Sequence, residues 1–565
     1  MPRQNPTYHR RWTGRFGPAF RNLILKALNL LALMSLPRIG IFSGYDPRPW
    51  VMKDCADQDI AVLKKLVKRL ESLGKYELVW PGRRRRGWDK LVHSTDLGRQ
   101  YAEALFEADV CGVINVHQTW TFPQTSQRVV SDYAQRLRSQ DATATPRLVL
   151  VSIQDTTVPG MVSGMATGGA YNQNGVAFQH LYGDFEDPTL LEQLEEVLDL
   201  FVARATVEAK VRQVVENLHQ LHALEFGSFS LQMPTTRIDQ ELLNRRWGIT
   251  SESLDQQVFL DRAFAMFDWK GRPGKSKIRN ILHAGVAKAV EKNYDKHPEK
   301  FALLGRQVSR NKYALQVAMY FAVQEIAQEK GAGAITIKCQ DECSGVYATC
   351  CQATSFLGND VDMNGKKKTM LPTSCETDLP TMYSQYLLKE LAGEPSGFGD
   401  FRYVKTTGSG AEEETLLAIV NCGQHPQFFA GRKEDSLRRK QNLTEYPGQE
   451  HFYAAGGAAV RMRTAGGQRM TVARLGVENG RLYMVACPMD TVDVDPERHQ
   501  VYNQAWPIIE GRIPVPDRIM GRRWPSNHLG FVYGDYIAAL IELSERMGIG
   551  YLIWDQNGRE YSRPS

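Results

Sequence analysis

The sequence predicts an α/β protein with two α/β domains followed by a third, β-rich domain. A chain of 565 residues is long enough for several domains of about 100–200 residues each. From Pro37 onward, short apolar runs alternate with amphipathic helical stretches, which is the pattern of βαβ units around a mostly parallel sheet. After about Glu394, strand and hairpin patterns replace this alternation.

The first α/β domain is predicted over residues 37–187, after a basic extension at residues 1–36. Apolar residues recur at helical spacing between Asp57 and Leu73, so a helix follows the first strand. The predicted strands are Ile39–Ser43, Tyr76–Trp80, Val110–Val116, Leu148–Ile153 and Val176–Tyr182. Open α/β sheets bind ligands at the carboxyl ends of their strands, so functional residues are expected there.

The second α/β domain is predicted over residues 188–398. A long helix from Leu190 to Leu218 is expected to connect the two sheet domains. The elements predicted after it are a strand at Ala223–Phe229, helices at Val258–Asp268, Ile278–Tyr294 and Tyr313–Gln328, and a strand at Ala334–Cys339.

The third domain is predicted over residues 399–565 as a β-barrel or sandwich. Its predicted strands are Leu416–Asn421, Ala459–Thr464, Thr471–Leu475 and Leu482–Ala486. Asn479-Gly480 between the last two strands is a strong signal for a tight hairpin turn.

Composition and charge exclude several classes of protein. With 42% hydrophobic and 23% charged residues, the chain is typical of globular proteins and unlike disordered or collagenous ones. The net charge is +6, but seven basic residues precede Asp46, the first acid, so the rest carries −1. A nucleic-acid partner is therefore not expected. The basic runs Arg83–Arg86 and Lys366–Lys368 are interpreted as solvated loops.

The N-terminal extension leaves its role open. Its apolar stretch from Leu23 to Leu36 contains Lys26 and follows an acid-free, Arg-rich start, which is compatible with a transit peptide or an interfacial helix. A floppy extension or an additional oligomer contact is the simpler interpretation. No apolar run approaches the roughly 20 residues of a membrane span, so no transmembrane segment is expected.

The cysteines indicate a reducing compartment. The chain has nine, an odd number, and five of them cluster between Cys339 and Cys375, which favours reduced thiols and a cytoplasmic location over secreted disulfides. A zinc- or thiol-dependent enzyme using this cluster is an alternative, although paired Cys-x-x-Cys units are missing.

Two acidic segments are candidates for a metal site. Asp341 and Glu342 follow the predicted buried strand that ends at Cys339, and Glu376 and Asp378 precede a predicted helix. Carboxylates from adjacent strand ends would form an oxygen-rich site for a hard divalent ion such as Mn²⁺ or Mg²⁺. Two simpler interpretations stay open: Asp378 as a helix cap with Pro380 in the first turn, and Glu342 as a solvated loop acid.

The segment Trp524-Pro525-Ser526-Asn527-His528 supplies a third candidate. A role in core packing is a poor explanation for a histidine in a loop that contains proline and asparagine. An imidazole with two carboxylates leaves coordination positions open, which suits a catalytic metal that also holds substrate oxygens.

These motifs resemble those of the L-fucose isomerase and L-arabinose isomerase group of metal-dependent aldose–ketose isomerases. The resemblance extends from Pro37 to the C-terminus and depends on the order and spacing of separate motifs. They are Gly175-Val176-Ala177-Phe178 with Tyr182-Gly183-Asp184, Ile337-Lys338-Cys339 with Glu342, Cys375-Glu376-Thr377-Asp378, Asn421-Cys422-Gly423, Gly456-Gly457, Thr471-Val472-Ala473-Arg474-Leu475 and the His528 segment.

The resemblance implies two Rossmann-like domains and a β-barrel-like C-terminal domain, assembled as a homotrimer or homohexamer. It also implies one Mn²⁺ per site, with Mg²⁺ or another divalent ion as the alternative, held by Glu342, Asp378 and His528. In that scheme a carboxylate such as Glu342 takes and returns the carbon proton of a monosaccharide, and Asp378 relays the hydroxyl proton while remaining a ligand. Which of the two acts as the base stays open. The substrate-binding residues it implies are Trp120, Trp524 and Asn527, where Trp120 could equally be buried packing.

Several departures from the family pattern affect these assignments. About a dozen extra residues, Val361–Thr373, separate the two carboxylate motifs, and Pro380 stands where a small residue is usual. Glu376 or Asp341 could take the place of Glu342. The expected reaction is of the L-fucose/L-fuculose or D-arabinose/D-ribulose type, and a non-catalytic sugar-binding protein of the same fold is the alternative.

Overall fold

The computed structural model of the protein describes residues 36–450, 453–502 and 504–563. The basic extension, apart from its last residue, therefore lies outside the described residues. The chain forms two compact units that divide between Ala205 and Thr206. In the described part of the chain, no helix combines the length and apolar character that a membrane span requires.

The first unit contains a five-stranded, all-parallel sheet with the order β2-β1-β3-β4-β5. All five strands predicted for this region are confirmed. The central strand β3 is buried along its whole length, including the polar side chains of Asn115 and His117. The strands are β1 (Arg38–Ser43), β2 (Glu77–Val79), β3 (Gly112–His117), β4 (Leu148–Ile153) and β5 (Gln179–Gly183). The helices are α1 (Pro49–Ser72), α2 (Thr95–Glu107), α3 (Pro123–Gln140), α4 (Gly160–Gln173) and α5 (Pro188–Leu218).

The second unit begins with a four-stranded parallel sheet of order β11-β10-β6-β7. Ile337 pairs with Cys375 at the ends of β10 and β11, so the two predicted acidic segments do follow neighbouring strand ends. The strands are β6 (His222–Phe226), β7 (Thr250–Leu254), β10 (Ala334–Ile337) and β11 (Thr373–Cys375). The helices are α6 (Gln240–Trp247), α7 (Gln256–Ala265), α8 (Ala284–Val290), α9 (Arg310–Lys330), α10 (Cys351–Gly358) and α11 (Leu379–Ala392).

Two predicted elements differ from the structure. The helix predicted at Ile278–Tyr294 begins only at Ala284, because Ile278–Ile281 forms strand β9, which pairs with β8 (Phe267–Trp269) in a hairpin. The apolar spacing of so short a segment fits a strand as well as a helix. The strand predicted at Ala459–Thr464 is wrong: this segment makes isolated bridges to irregular chain and to β16, with no continuous partner strand.

An eight-stranded sheet completes the second unit, with the order β14-β17-β12-β13-β16-β15-β18-β19. An additional pairing of β14 with β15 closes six of these strands into a ring. Asn479 and Gly480 turn between β14 and β15 at φ 50° and 75°, as the predicted hairpin requires. The strands are β12 (Gly397–Thr407), β13 (Glu414–Val420), β14 (Arg469–Glu478), β15 (Arg481–Val492), β16 (Ile508–Ile513), β17 (His528–Tyr533), β18 (Gly550–Trp554) and β19 (Glu560–Arg563). The helices are α12 (Leu437–Leu443), α13 (Pro496–Tyr502), α14 (Asp517–Arg523) and α15 (Ile537–Met547).

The two sheets of the second unit share one apolar core. A continuous cluster of buried side chains includes Leu224 and Ile335 of the parallel sheet together with Phe398 and Phe531 of the eight-stranded sheet. Strand β12 crosses the predicted domain boundary between residues 398 and 399. The division into three domains therefore stays a prediction, while the shared core places the ends of β11, β12 and β17 close together.

Candidate metal centre

Three segments of the second unit meet at the side chain of His528. Glu376 and Asp378 lie in the turn between β11 and α11, Asp400 lies near the start of β12, and His528 begins β17. Asp400 and His528 are direct partners in the antiparallel pairing of β12 with β17. The imidazole is fully buried and packs against the ring of Phe398, with 4.7 Å between ring centroids.

Two carboxylates lie next to the Nε2 atom of His528. Glu376 Oε2 and Asp400 Oδ1 are each 3.1 Å from it, yet Nε2 makes no hydrogen bond of normal geometry. Adjacent ligands of an octahedral Mg²⁺-like ion bound at about 2.0–2.1 Å are separated by about 3 Å. One nitrogen and two carboxylate oxygens are donor types that suit a divalent ion.

The other ring nitrogen is held by Asp378. Nδ1 of His528 lies 2.6 Å from Asp378 Oδ2, and such a carboxylate contact fixes the orientation of the ring, so that Nε2 faces Glu376 and Asp400. Asp378 Oδ1 accepts a hydrogen bond of 2.8 Å from the backbone N–H of Thr381. The helix-cap interpretation of Asp378 is thus confirmed, and both of its oxygens are engaged within the protein.

Arg474 on β14 stabilises the charge of Asp378. Its Nη1 lies 2.8 Å from Asp378 Oδ2, and its Nη2 donates to the carbonyl of Thr235 at 2.7 Å. Burial opposes ionisation of Asp378, but the guanidinium charge and the contact with His528 outweigh it and hold the pKa of this carboxyl below its ordinary value. Asp378 is therefore a buried carboxylate at neutral pH.

Removal of this guanidinium is expected to destabilise the protein. Removal of one partner from a buried ion pair destabilises a protein by about 3–5 kcal/mol, so Arg474→Met should lower the free energy of unfolding by about that amount. Arg469→Met is the matched control, since Arg469 lies on the same strand but pairs at the surface with Asp490 at 2.7 Å. Chemical denaturation of both variants measures the difference. Equal effects of the two substitutions would contradict a special role for Arg474.

The turn that carries Glu376 is conformationally strained. Glu376 and Thr377 have φ values of 59° and 49°, in the left-handed region where a residue other than glycine costs on the order of 1–3 kcal/mol. Thr377 Oγ1 donates to the carbonyl of Ser228 at 2.8 Å and so anchors the turn. Strain of this kind is concentrated at functional sites, and here it accompanies the approach of Glu376 to His528.

Asp400 is the site residue that the sequence analysis missed. Asn421 donates to its Oδ2 at 2.9 Å and Asn527 to its Oδ1 at 3.2 Å. Its side chain is 30% exposed, so a ligand can reach it. The sequence holds a weak signal, since Asp400 follows Gly397-Phe398-Gly399 in a strand and could meet the predicted Asn421 and Asn527 motifs.

The structure brings two of the predicted ligands into contact, while the third pairs with a lysine. Asp378 and His528 are in contact, but the carboxylate of Glu342 pairs with Lys338 Nζ at 2.7 Å, and its side chain is 54% exposed. This pair outweighs the effect of burial and lowers the pKa of Glu342. The assignment of Glu342 as a ligand stays a prediction, and the simpler interpretation of a solvated acid agrees with its exposure.

The predicted substrate-binding residues lie in both units. Asn527 contacts Asp400, and the indole N–H of Trp524 donates to the carbonyl of His528 at 3.1 Å. The ring of Trp524 packs against Phe401, with 5.0 Å between centroids. Trp120 lies in the first unit and is partly buried. Its role in a pocket stays a prediction.

The cysteines form no disulfide or metal cage. All nine are free, and those from Cys339 to Cys375 are buried. In the described part of the chain, no group of three or more His, Cys, Asp or Glu side chains is arranged so that it could hold a metal ion. Binding of an ion at His528 would therefore require its neighbouring carboxylates to move from these positions.

Two parts of the chain match models of protein-family domains. Residues 36–213 match the family described as L-fucose isomerase, first N-terminal domain, and residues 419–555 match L-fucose isomerase, C-terminal domain. Together the two matches cover more than half of the chain. The chain is also 22% identical over 476 residues to the L-fucose isomerase of Phocaeicola vulgatus, an alignment that covers 73% of this chain and 77% of that relative.

Proposed function

This chain belongs to the L-fucose isomerase family of aldose–ketose isomerases, and we propose that it interconverts L-fucose and L-fuculose, or D-arabinose and D-ribulose, with the aid of a divalent metal ion. The observation that carries this proposal is the convergence of Glu376 and Asp400 on the Nε2 atom of His528. The substrate class comes from the family, and the metal requirement from the chemistry of these three donors.

The proposed metal ligands are Glu376, Asp400 and His528. Mn²⁺ is the proposed ion, with Mg²⁺ or another divalent ion as the alternative; it would supply Lewis-acid polarisation of the sugar oxygens. Asp378 acts through His528, because both of its oxygens are already bonded within the protein. Glu376, which the sequence analysis kept as an alternative, thus takes the place of Glu342, and Asp400 takes that of Asp378.

The carboxylates of Glu376 and Asp400 are suited to the proton transfers of the reaction. Isomerisation removes a proton from C2 of the aldose, delivers one to C1, and moves a hydroxyl proton from O2 to O1. One of Glu376 and Asp400 takes and returns the carbon proton, and the other moves the hydroxyl proton. Both carboxylates lie 3.1 Å from the same imidazole nitrogen, so the two roles are assigned to the pair.

The finer architectural assignments are part of the same proposal. The strand order of the first unit is the flavodoxin-like order of a doubly wound sheet, which supports a Rossmann-like domain in the broad sense. The ring of six strands supports a barrel-like C-terminal domain. We retain the homotrimer or homohexamer, the cytoplasmic location, and Trp120, Trp524 and Asn527 as substrate-binding residues on the strength of the family resemblance. The contact of Asn527 with Asp400 supports its place beside the reacting groups.

A panel of aldoses tests the function directly. Metal-stripped protein is given L-fucose, D-arabinose or L-arabinose with Mn²⁺, Mg²⁺, Zn²⁺ or no metal, and ketose formation is measured. We expect turnover that depends on Mn²⁺ and is highest for L-fucose or D-arabinose. Folded protein that binds Mn²⁺ and any of these sugars without forming a ketose would instead support the non-catalytic sugar-binding alternative.

Metal binding is expected to release a proton from His528. Burial lowers the pKa of this imidazole, but the charge of Asp400 and the contact with Asp378 outweigh burial and raise the pKa well above its ordinary value. The metal-free imidazole is therefore protonated at neutral pH, whereas a ligand must be neutral. Affinity for Mn²⁺ should rise with pH until the raised pKa is passed.

Calorimetric titration in two buffers with different heats of ionisation counts this proton. At pH 7 we expect about one proton released per Mn²⁺ bound. The His528→Gln variant serves as the control, since its residual Mn²⁺ binding should release much less. Proton release that is unchanged in His528→Gln would assign the proton to another group.

A further inference from the structure

A second concave site lies in the same unit, beside the loop that leads to His528. It is a cavity of about 370 Å³, within the range of about 300–1,000 Å³ that is usual for small-molecule sites. Its walls come from the hairpin of β14 and β15, the end of α14 with the loop that follows it, and strands β18 and β19. None of the residues that contact the imidazole of His528 lines it, so it is distinct from the candidate metal centre.

The wall of this cavity has an excess of positive charge. Three guanidinium groups, from Arg522, Arg523 and Arg563, face one carboxylate, from Glu478. Arg523 lies 3.7 Å from Glu560, whereas neither Arg522 nor Arg563 has a carboxylate within ion-pair distance in the described residues. The dipole at the C-terminus of α14 explains basic residues in its last turn. It does not explain Arg563, which comes from β19 on the other side of the cavity.

Aromatic rings provide the remaining surface. Tyr483, Tyr551 and Trp524 line the cavity, and the polar ends of two of them are already bonded, Tyr551 Oη to Glu545 at 2.9 Å and the Trp524 indole to the carbonyl of His528. The rings are therefore available as apolar faces. A site with cations on one side and aromatic faces on the other suits a ligand that is both anionic and organic.

We propose that this cavity binds the phosphate monoester of a small organic molecule. The phosphate lies between Arg522 and Arg563, and the organic part lies against the rings of Tyr483 and Trp524. A phosphate monoester carries about −1.5 to −2 charge at pH 7, which complements the net positive charge of the wall. The planar guanidinium group matches phosphate oxygens in pairs. The proposal does not use the isomerase reaction, although the cavity shares Trp524 with the substrate-binding residues proposed for that reaction.

Isothermal titration with ribose 5-phosphate tests the site, with ribose and malonate as the uncharged and dicarboxylate controls at the same ionic strength. We expect ribose 5-phosphate to bind at least tenfold more tightly than either control. The R522Q/R563Q double variant should weaken its binding at least tenfold. Arg518→Gln is the matched control, because Arg518 lies on the same helix but pairs with Glu413 outside the cavity.

Three results would overturn the proposal: no binding of ribose 5-phosphate to the unaltered protein, equal binding by R522Q/R563Q, or equally tight binding of malonate. The single variants Arg522→Gln and Arg563→Gln replace the double variant if thermal unfolding shows that it is not folded. Aldose turnover is measured on the same samples. If the protein is an active isomerase but does not bind ribose 5-phosphate, only the proposal of this second site is wrong. If it binds ribose 5-phosphate through the two arginines but is inactive on aldoses, only the proposed reaction is wrong.

Discussion

The His528→Ala variant is expected to lose Mn²⁺-dependent ketose formation. The substitution removes the one nitrogen donor around which Glu376, Asp378 and Asp400 are arranged. Loss of a residue that only supports a metal ligand typically costs about 10–100-fold in affinity or activity, so loss of the ligand itself should exceed about 100-fold. The value of kcat/KM with the best aldose, and the affinity for Mn²⁺, are the quantities to measure.

Two further variants make this result specific. His528→Gln keeps a polar side chain in the buried position and should also be inactive, which covers the case in which the alanine variant does not fold. His297→Ala is the matched control, because that histidine is 52% exposed and pairs only with Glu299, and it should retain activity. Substantial Mn²⁺-dependent turnover by a folded His528 variant would show that this histidine is not a metal ligand.

The elements of the fold that could be predicted from sequence are those with long, regular apolar patterns. Strand β4 is found at the predicted residues Leu148–Ile153, and the turn at Asn479-Gly480 is where the sequence requires positive φ. The strand at Ile278–Ile281 falls within a predicted helix, because four residues are too few to distinguish the apolar spacing of a strand from that of a helix. The segment 459–464 has the composition of a strand but pairs continuously with no other strand. A local sequence pattern does not reveal whether a partner strand is present.

The same limit explains which parts of the site were predicted. His528 and the segment from Glu376 to Asp378 stand out because polar residues interrupt buried elements there. The roles within the segment depend on three-dimensional contacts. Arg474, about a hundred residues away in sequence, donates a hydrogen bond to the carboxylate of Asp378. Asp400 approaches the site only through the pairing of β12 with β17. Glu342, which the family resemblance implies as a ligand, pairs with its neighbour Lys338, and its role in the site stays a prediction.

Comparison of Asp400→Asn with Glu342→Gln is expected to separate the two ligand sets. Both substitutions remove one carboxylate charge with little change in shape. Asp400→Asn should reduce Mn²⁺-dependent kcat/KM by more than about 100-fold, because loss of a residue that only supports a ligand costs about 10–100-fold and Asp400 is proposed as a ligand itself. Glu342→Gln should leave it within about fivefold, because an exposed ion pair contributes about 0–1 kcal/mol. Mn²⁺ affinity, measured by titration of the metal-stripped variants, should follow the same order.

The Asp378→Asn variant completes this comparison, because it distinguishes a ligand from a residue that positions one. An asparagine can still accept the hydrogen bond from Nδ1–H of His528, but it no longer supplies the charge that Arg474 neutralises. A positioning role predicts a fall in Mn²⁺ affinity of about 10–100-fold, intermediate between the other two variants. If Glu342→Gln and Asp378→Asn were the two most damaging changes and Asp400→Asn were mild, the set Glu342, Asp378 and His528 would hold the metal. The carboxylates would then have to rearrange around His528 when the metal binds, since Asp378 now contacts Nδ1 and Glu342 contacts Lys338.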